Sequence, residues 1–163
     1  LDRDDTLLAD EGHMTDAAQV RLLPGVRQAL LRLQRADFRL VLISNQSVVG
    51  RGWATPEQVQ GIQQRICRLL PGVSFAGFEY CFHRPDESCD CRKPRPGMLL
   101  RAARRLDLDL ARSVMVGDRA SDVLAGQAAG CKTVLLGRAE AGLCQPDHVA
   151  ADLAGAAEWI LKQ

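Results

Sequence analysis

Three short apolar runs each stop at a cluster of polar residues, and helix-like segments separate them. Phe38 to Ile43 runs into Ser44-Asn45-Gln46-Ser47, and Gly77 to Cys81 into a polar stretch reaching Arg95. Val114 to Val116 enters Gly117-Asp118, and Lys132 to Leu136 is a fourth run of the same kind. Their shortness and β-branched content identify buried strands. Strands alternating with helices specify an α/β fold with a central parallel sheet and helices on both faces. In such sheets ligands collect beyond the carboxyl ends of the strands, which is where every polar cluster falls.

The helices have their own signals. Val26, Ala29, Leu30, Leu31 and Leu33 form an apolar stripe that begins after Pro24 and ends near Ala36-Asp37. Thr55-Pro56-Glu57 places a hydroxyl cap, a proline and an acid at the start of a helix reaching Leu70. A third helix spans about 97–106, and Ser121 is expected to cap a short one ending at Gly130. The last covers 151–161. Residues 7–23 and 82–95 lack a period and read as loop.

At 163 residues, 47% hydrophobic and 25% charged, the chain fits one globular domain, 1–163. A net charge of +1 provides no bulk field for nucleic acid or a membrane, and no apolar run approaches a span of about 18 residues. The chain begins at Leu1, and the acids Asp2, Asp4 and Asp5 follow at once. Several strongly apolar residues are expected to precede Leu1 as a central strand.

Asp2-Arg3-Asp4-Asp5-Thr6, Ser44, Lys93 and Gly117-Asp118 with Asp122 occur in this order, each but the first at or beyond a strand end. Singly, each is an ordinary surface patch, turn or helix start. Together they resemble the haloacid dehalogenase (HAD) superfamily of phosphohydrolases, with its Asp-x-Asp-x-Thr, Ser/Thr, Lys and Gly-Asp-x-x-x-Asp motifs. The resemblance implies a three-layer Rossmann-like fold and a phosphatase in which Asp2 attacks phosphorus. Asp4 then acts as general acid and base, Ser44 donates to the phosphoryl group and Lys93 neutralises it. Mg²⁺ would sit between Asp2, the Asp4 carbonyl and Asp118. Asp122 is open between steering Lys93 or a metal-bound water and serving as a helix N-terminal acid.

Cys81-x-His83 and Cys89-x-Cys91 bracket an eleven-residue loop. Three cysteines cannot all pair, and a disulfide would leave His83 unexplained, so the pattern predicts a closed Zn²⁺ site. Cys67, Cys131 and Cys144 read as structural thiols. Reduced cysteines and no visible leader suggest a cytoplasmic protein.

Cys89-Asp90-Cys91-Arg92-Lys93-Pro94 narrows the resemblance to D-glycero-D-manno-heptose 1,7-bisphosphate phosphatases and histidinol-phosphate phosphatases. Asn45-Gln46-Ser47, Arg51-Gly52 and the Pro94 to Leu100 stretch lean to the heptose branch; Arg119-x-Ser121-Asp122 looks somewhat like the histidinol branch. A bisphosphate needs a second anion site, for which Arg92 and Arg119 are the candidates. The resemblance implies sugar contacts from Asp10, Glu11, Gly12 and His13 and from Ser44, Asn45, Gln46 and Ser47. The 42 residues from Asp2 to Ser44 and the 49 from Ser44 to Lys93 are consumed by predicted elements, leaving no room for a cap domain. A nucleic-acid 3′-phosphatase would need a basic track with exposed aromatics, and a vestigial zinc-bearing binding module need not keep every motif. The expected partner is a small sugar phosphate, and the expected state a monomer.

Overall fold

The computed structural model describes residues 1–9, 12–138, 140 and 142–163. The order of elements is α1 (Val26–Arg35), β1 (Leu40–Asn45), α2 (Ser47–Gly50), α3 (Pro56–Leu69), β2 (Phe75–Cys81) and α4 (Gly97–Leu106). Then come β3 (Val114–Gly117), α5 (Ala120–Ala128), β4 (Lys132–Leu136), β5 (His148–Ala150) and α6 (Leu153–Ile160). Short 3₁₀ turns occupy Ala17–Gln19 and Leu110–Arg112.

All strand pairs are parallel: β1 with β2, and β3 with β4 and β4 with β5. Residues 1 and 2 join the two groups. Leu1 N donates to Val41 O at 2.9 Å, Ile43 N to Leu1 O at 2.8 Å and Asp2 N to Val116 O at 2.8 Å. The first cluster therefore lies between β1 and β3, in the middle of the sheet.

Alternation along the strands divides the core into two layers. Leu40 and Leu42 of β1 and Val116 of β3 face one core with Leu30 and Leu33 of α1, Ile62 and Ile66 of α3 and Ile160 of α6. Ile43 and Met115 face the other, with Met98 and Ala102 of α4. Gly126 of α5 backs onto Met115 and Thr133 on that same side. Helices thus cover both faces of a parallel Rossmann-like sheet.

The differences from the sequence reading are local. β1 starts at Leu40 rather than Phe38, because the chain still turns after α1 at Asp37 (φ 62°). Ser121 does not cap α5. Arg119 is the N-cap residue, and Asp122 closes the box by accepting from Arg119 N at 3.0 Å. The periodicity reading missed α2 and β5, which are four and three residues long and too short to show a period. No helix of the described residues is long and apolar enough to cross a membrane.

Candidate active site

Asp2, β1, β2 and β3 all end on the same edge of the sheet, so their polar clusters converge on one cavity of about 310 Å³. Asp2, Asp4, Ser44, Asn45, Gln46 and Ser47 line it from the sheet. Arg92 and Lys93 enter from the loop after β2, Arg119 and Asp122 from the turn into α5, and His13 from the loop after the first cluster. A larger cavity of about 530 Å³ between β1 and β3 holds none of these strand-end residues. Of the expected sugar contacts, Gly12 is exposed at φ 107° outside the lining, and Asp10 and Glu11 lie outside the described residues.

Lys93 is the electrostatic centre. It is 5% exposed, and its Nζ lies 2.6 Å from Asp2 Oδ1, 2.5 Å from Asp122 Oδ1 and 3.0 Å from Ile43 O. Burial opposes its charge, but Asp2 and Asp122 outweigh that penalty and hold it above the usual lysine value. Asp122 is thus both the α5 box acid and the second counter-charge of Lys93. A Cβ on Gly117 would overlap the Asp122 carboxylate, so glycine is what admits it there.

Asn45, expected as a sugar contact, lines the cavity and is also bonded to the protein. Its Nδ2 donates to Lys93 O at 3.1 Å, and its Oδ1 accepts from Lys93 N at 3.1 Å. That reciprocal pair ties the Lys93 backbone to the end of β1.

Asp2, Asp118 and Asp122 offer carboxylate oxygens all within 4.8 Å of one another. Burial, with the charges of Asp2 and Asp122 beside it, lifts Asp118 to about 7. Thr6 Oγ1 donates to Asp118 Oδ1 at 3.5 Å. A dense set of hard oxygens whose crowded negative charge a doubly charged ion would offset is the donor chemistry of a divalent cation such as Mg²⁺.

The second cluster forms as a unit. Cys81 Sγ lies 3.5 Å from His83 Nδ1 and 3.8 Å from Cys89 Sγ, Cys91 Sγ lies 3.3 Å from His83 Nδ1, and all four donor atoms fall within 4.8 Å. Gly97 lets α4 start against this loop: its N–H donates to Asp90 O at 3.0 Å, where a Cβ would collide. Arg92 Nη1 donates to His83 O at 3.3 Å.

At the mouth, Arg119 is exposed, and its Nε lies 3.8 Å from Asp118 Oδ2. His13 packs against exposed Trp53 at 5.1 Å with the rings tilted by 50°, and Arg51 covers the same ring at 5.0 Å. Sequence reasoning gave no site role to Arg3 or Trp53 and took Ser121 for a helix cap and part of a branch motif, not for a cavity residue. Ser121 lines the cavity and had a signal in its spacing from Asp118, whereas Trp53 had none.

A family model of HAD-hydrolase-like proteins matches residues 90–156. The chain is 41% identical to the D-glycero-β-D-manno-heptose-1,7-bisphosphate 7-phosphatase of Vibrio cholerae, over 85% of this chain and 79% of that one. It is 36% identical to the protein of the same name from Escherichia coli, over 99% and 86%. Among solved structures it is similar to D,D-heptose 1,7-bisphosphate phosphatase from B. bronchiseptica complexed with magnesium and phosphate. There the TM-score is 0.91 at 36% identity, covering 99% of this chain and 96% of that one.

Proposed function

The chain belongs to the family of D-glycero-D-manno-heptose-1,7-bisphosphate 7-phosphatases, and on that premise we propose how its residues divide the work. It is a Mg²⁺-dependent phosphoric monoester hydrolase that removes the C7 phosphate of a heptose 1,7-bisphosphate through an aspartyl-phosphate. The observation that carries the assignment of roles is the buried contact of Lys93 Nζ with Asp2 Oδ1, 2.6 Å, on the cavity floor.

An Asp2 oxygen attacks phosphorus while the ester P–O bond breaks, and Asp4 gives a proton to the departing alkoxide. Asp4, now ionised, takes a proton from the water that attacks phosphorus, and the bond to Asp2 breaks to release phosphate. Lys93 offsets charge on the phosphoryl oxygens, and Ser44 donates to one of them. Asp2, the Asp4 carbonyl and Asp118 would hold Mg²⁺, which would supply the charge neutralisation that lets two anions meet. Arg92 and Arg119 bind the second phosphate at the mouth, and His13 and Ser47 contact the sugar.

The Cys81, His83, Cys89 and Cys91 cluster holds Zn²⁺ in a structural role. Zn–S of about 2.3 Å and Zn–N of about 2.0–2.1 Å at tetrahedral angles imply about 3.8 Å between sulfurs and about 3.6 Å from sulfur to nitrogen. The 3.8 Å between Cys81 and Cys89 and the 3.5 Å from Cys81 to His83 match these spacings, and the 3.3 Å from Cys91 to His83 is about 0.3 Å shorter. Four protein ligands leave no open position, so the ion orders residues 82–95 and sets where Arg92 and Lys93 project.

The domain spans 1–163 and acts without a cap. Between Asp2 and Ser44 the described residues form only a 3₁₀ turn, α1 and β1, and between Ser44 and Lys93 only α2, α3 and β2. A small sugar phosphate accords with that open site, and the unpaired cysteines support a cytoplasmic setting, with a monomer as the working state. Asp2→Asn tests the mechanism: turnover should vanish while fold and zinc content persist, and undiminished activity would overturn it. Measuring kcat/KM on heptose bisphosphate and on histidinol phosphate tests the substrate, with the former expected to be higher.

A further inference from the structure

Gln46 is 3% exposed, and its side-chain amide is already engaged on both sides of the catalytic pocket. Its Nε2 donates to Asp4 Oδ2 at 2.8 Å and to Ser44 Oγ at 2.8 Å. Arg3 already donates to both Asp4 oxygens, and an oxygen that takes such a bond can accept a second one, so the nitrogen of the amide, rather than its oxygen, faces Asp4. An amide nitrogen carries two hydrogens, and these two bonds use both. No Gln46 hydrogen is left for a sugar hydroxyl.

The backbone holds Gln46 in this place from both directions. Its N–H donates to Cys81 O at 2.7 Å, which ties it to the end of β2, and its carbonyl accepts from Val49 N at 3.3 Å. On the opposite flank of Asp4, Arg3 closes a fork, with Nε to Oδ1 at 2.7 Å and Nη2 to Oδ2 at 3.1 Å. The Asp4 carboxylate is thus gripped between Arg3 and Gln46.

The bond to Ser44 has a directional consequence. A hydroxyl has one hydrogen; because Ser44 Oγ accepts from Gln46, that hydrogen remains available to donate elsewhere. The cavity is where a phosphoryl oxygen would receive it.

We propose that Gln46 is a positioning residue, bridging Asp4 and Ser44 so that the proton-transfer carboxylate and the phosphate-binding hydroxyl are oriented by one amide. This places both of its amide hydrogens on the protein rather than on a sugar, and it rests on the phosphatase reading above. Asp4 must lie in line with the leaving oxygen, and a side chain pulled out of register loses much of a contribution of about 10²–10⁴ from acid–base catalysis.

Leaving-group dependence tests it, because kcat/KM covers the steps through departure of the alcohol. Gln46→Met keeps the volume and removes both donors. It should lower kcat/KM at least about tenfold on heptose bisphosphate and equally on propyl phosphate, which has no hydroxyls. The loss on p-nitrophenyl phosphate, whose leaving group needs little proton, should be several-fold smaller and limited to what Ser44 contributes. Gln46→Asn, polar but one methylene too short to span the pair, should give the same pattern and serves if the methionine variant folds poorly. A loss confined to heptose bisphosphate would overturn the inference in favour of a sugar contact. An equal loss on all three substrates with a lowered Tm would overturn it in favour of a structural role. Failure of the wild-type protein on heptose bisphosphate, with propyl phosphate still hydrolysed, would count against the substrate assignment and not against Gln46.

Discussion

Lys93 Nζ lies 2.5 Å from Asp122 Oδ1, an ion pair in which both side chains are almost wholly buried. Asp122 is also fixed by the Arg119 backbone at the start of α5, so the helix end and Lys93 share one carboxylate.

Asp122→Asn should keep an acceptor for Arg119 N but leave Lys93 facing Asp2 alone. Breaking one side of a buried pair costs about 3–5 kcal/mol, and the surviving contact with Asp2 places this variant at the low end, about 3 kcal/mol. Urea unfolding measures the loss. Steady-state assays should show kcat falling as well, because the lysine then draws Asp2 more tightly into its own pair.

Asn45→Ala removes two hydrogen bonds that tie Lys93 to β1. A stability loss of about 1–3 kcal/mol is expected, with a larger fractional loss in kcat/KM, since the lysine backbone is the tethered group. Chemical denaturation and kinetics on the same preparation separate the two effects, and a kinetic constant equal to wild type would remove Asn45 from the account.

Asp118 leads to a prediction about pH and magnesium. Its carboxyl is raised to about 7 from an ordinary 3.8, so between these values the folded state binds more protons than the unfolded one. Without metal, this group therefore makes stability fall as pH rises from about 4 through 7. Mg²⁺ competes with that proton, so the Tm gain on adding Mg²⁺ to chelated protein should be greater at pH 8 than at pH 5.5. A gain independent of pH would place the ion elsewhere.

Zinc removal should act at a distance. Stripping the metal, or replacing Cys91 with Ser, should loosen residues 82–95 and with them Arg92 and Lys93. The expected results are one zinc per chain by elemental analysis in the native protein, and at least about a tenfold loss of Mg²⁺-dependent turnover after removal. Full activity in a zinc-free protein would separate the loop from catalysis.

Strand ends and ligand spacing were legible because they are local. The apolar runs leading into Ser44, Cys81 and Gly117 and the four Cys and His donors lie within short stretches of chain, where run length marks the strands and spacing marks the donors. Helix α4 was read residue for residue at 97–106, since proline and glycine mark its start and the apolar stripe its length. Asp122 could not be decided this way. A helix N-terminal acid and a lysine's counter-charge look the same in sequence, and they differ only when Lys93 arrives from 29 residues upstream.

Residue types in their order thus determined the parallel α/β order and the Cys-His cluster, and through the family resemblance they picked out the acids and the lysine that converge on one cavity. Tertiary structure decided what each polar group does with its hydrogen bonds. Asn45 and Gln46 are neighbours of the same character, yet one latches the Lys93 backbone and the other bridges Asp4 and Ser44. The physical reason is saturation. A buried side chain has a fixed number of donors and acceptors, and partners brought from 42 or 48 residues away use them up in ways that no local pattern records.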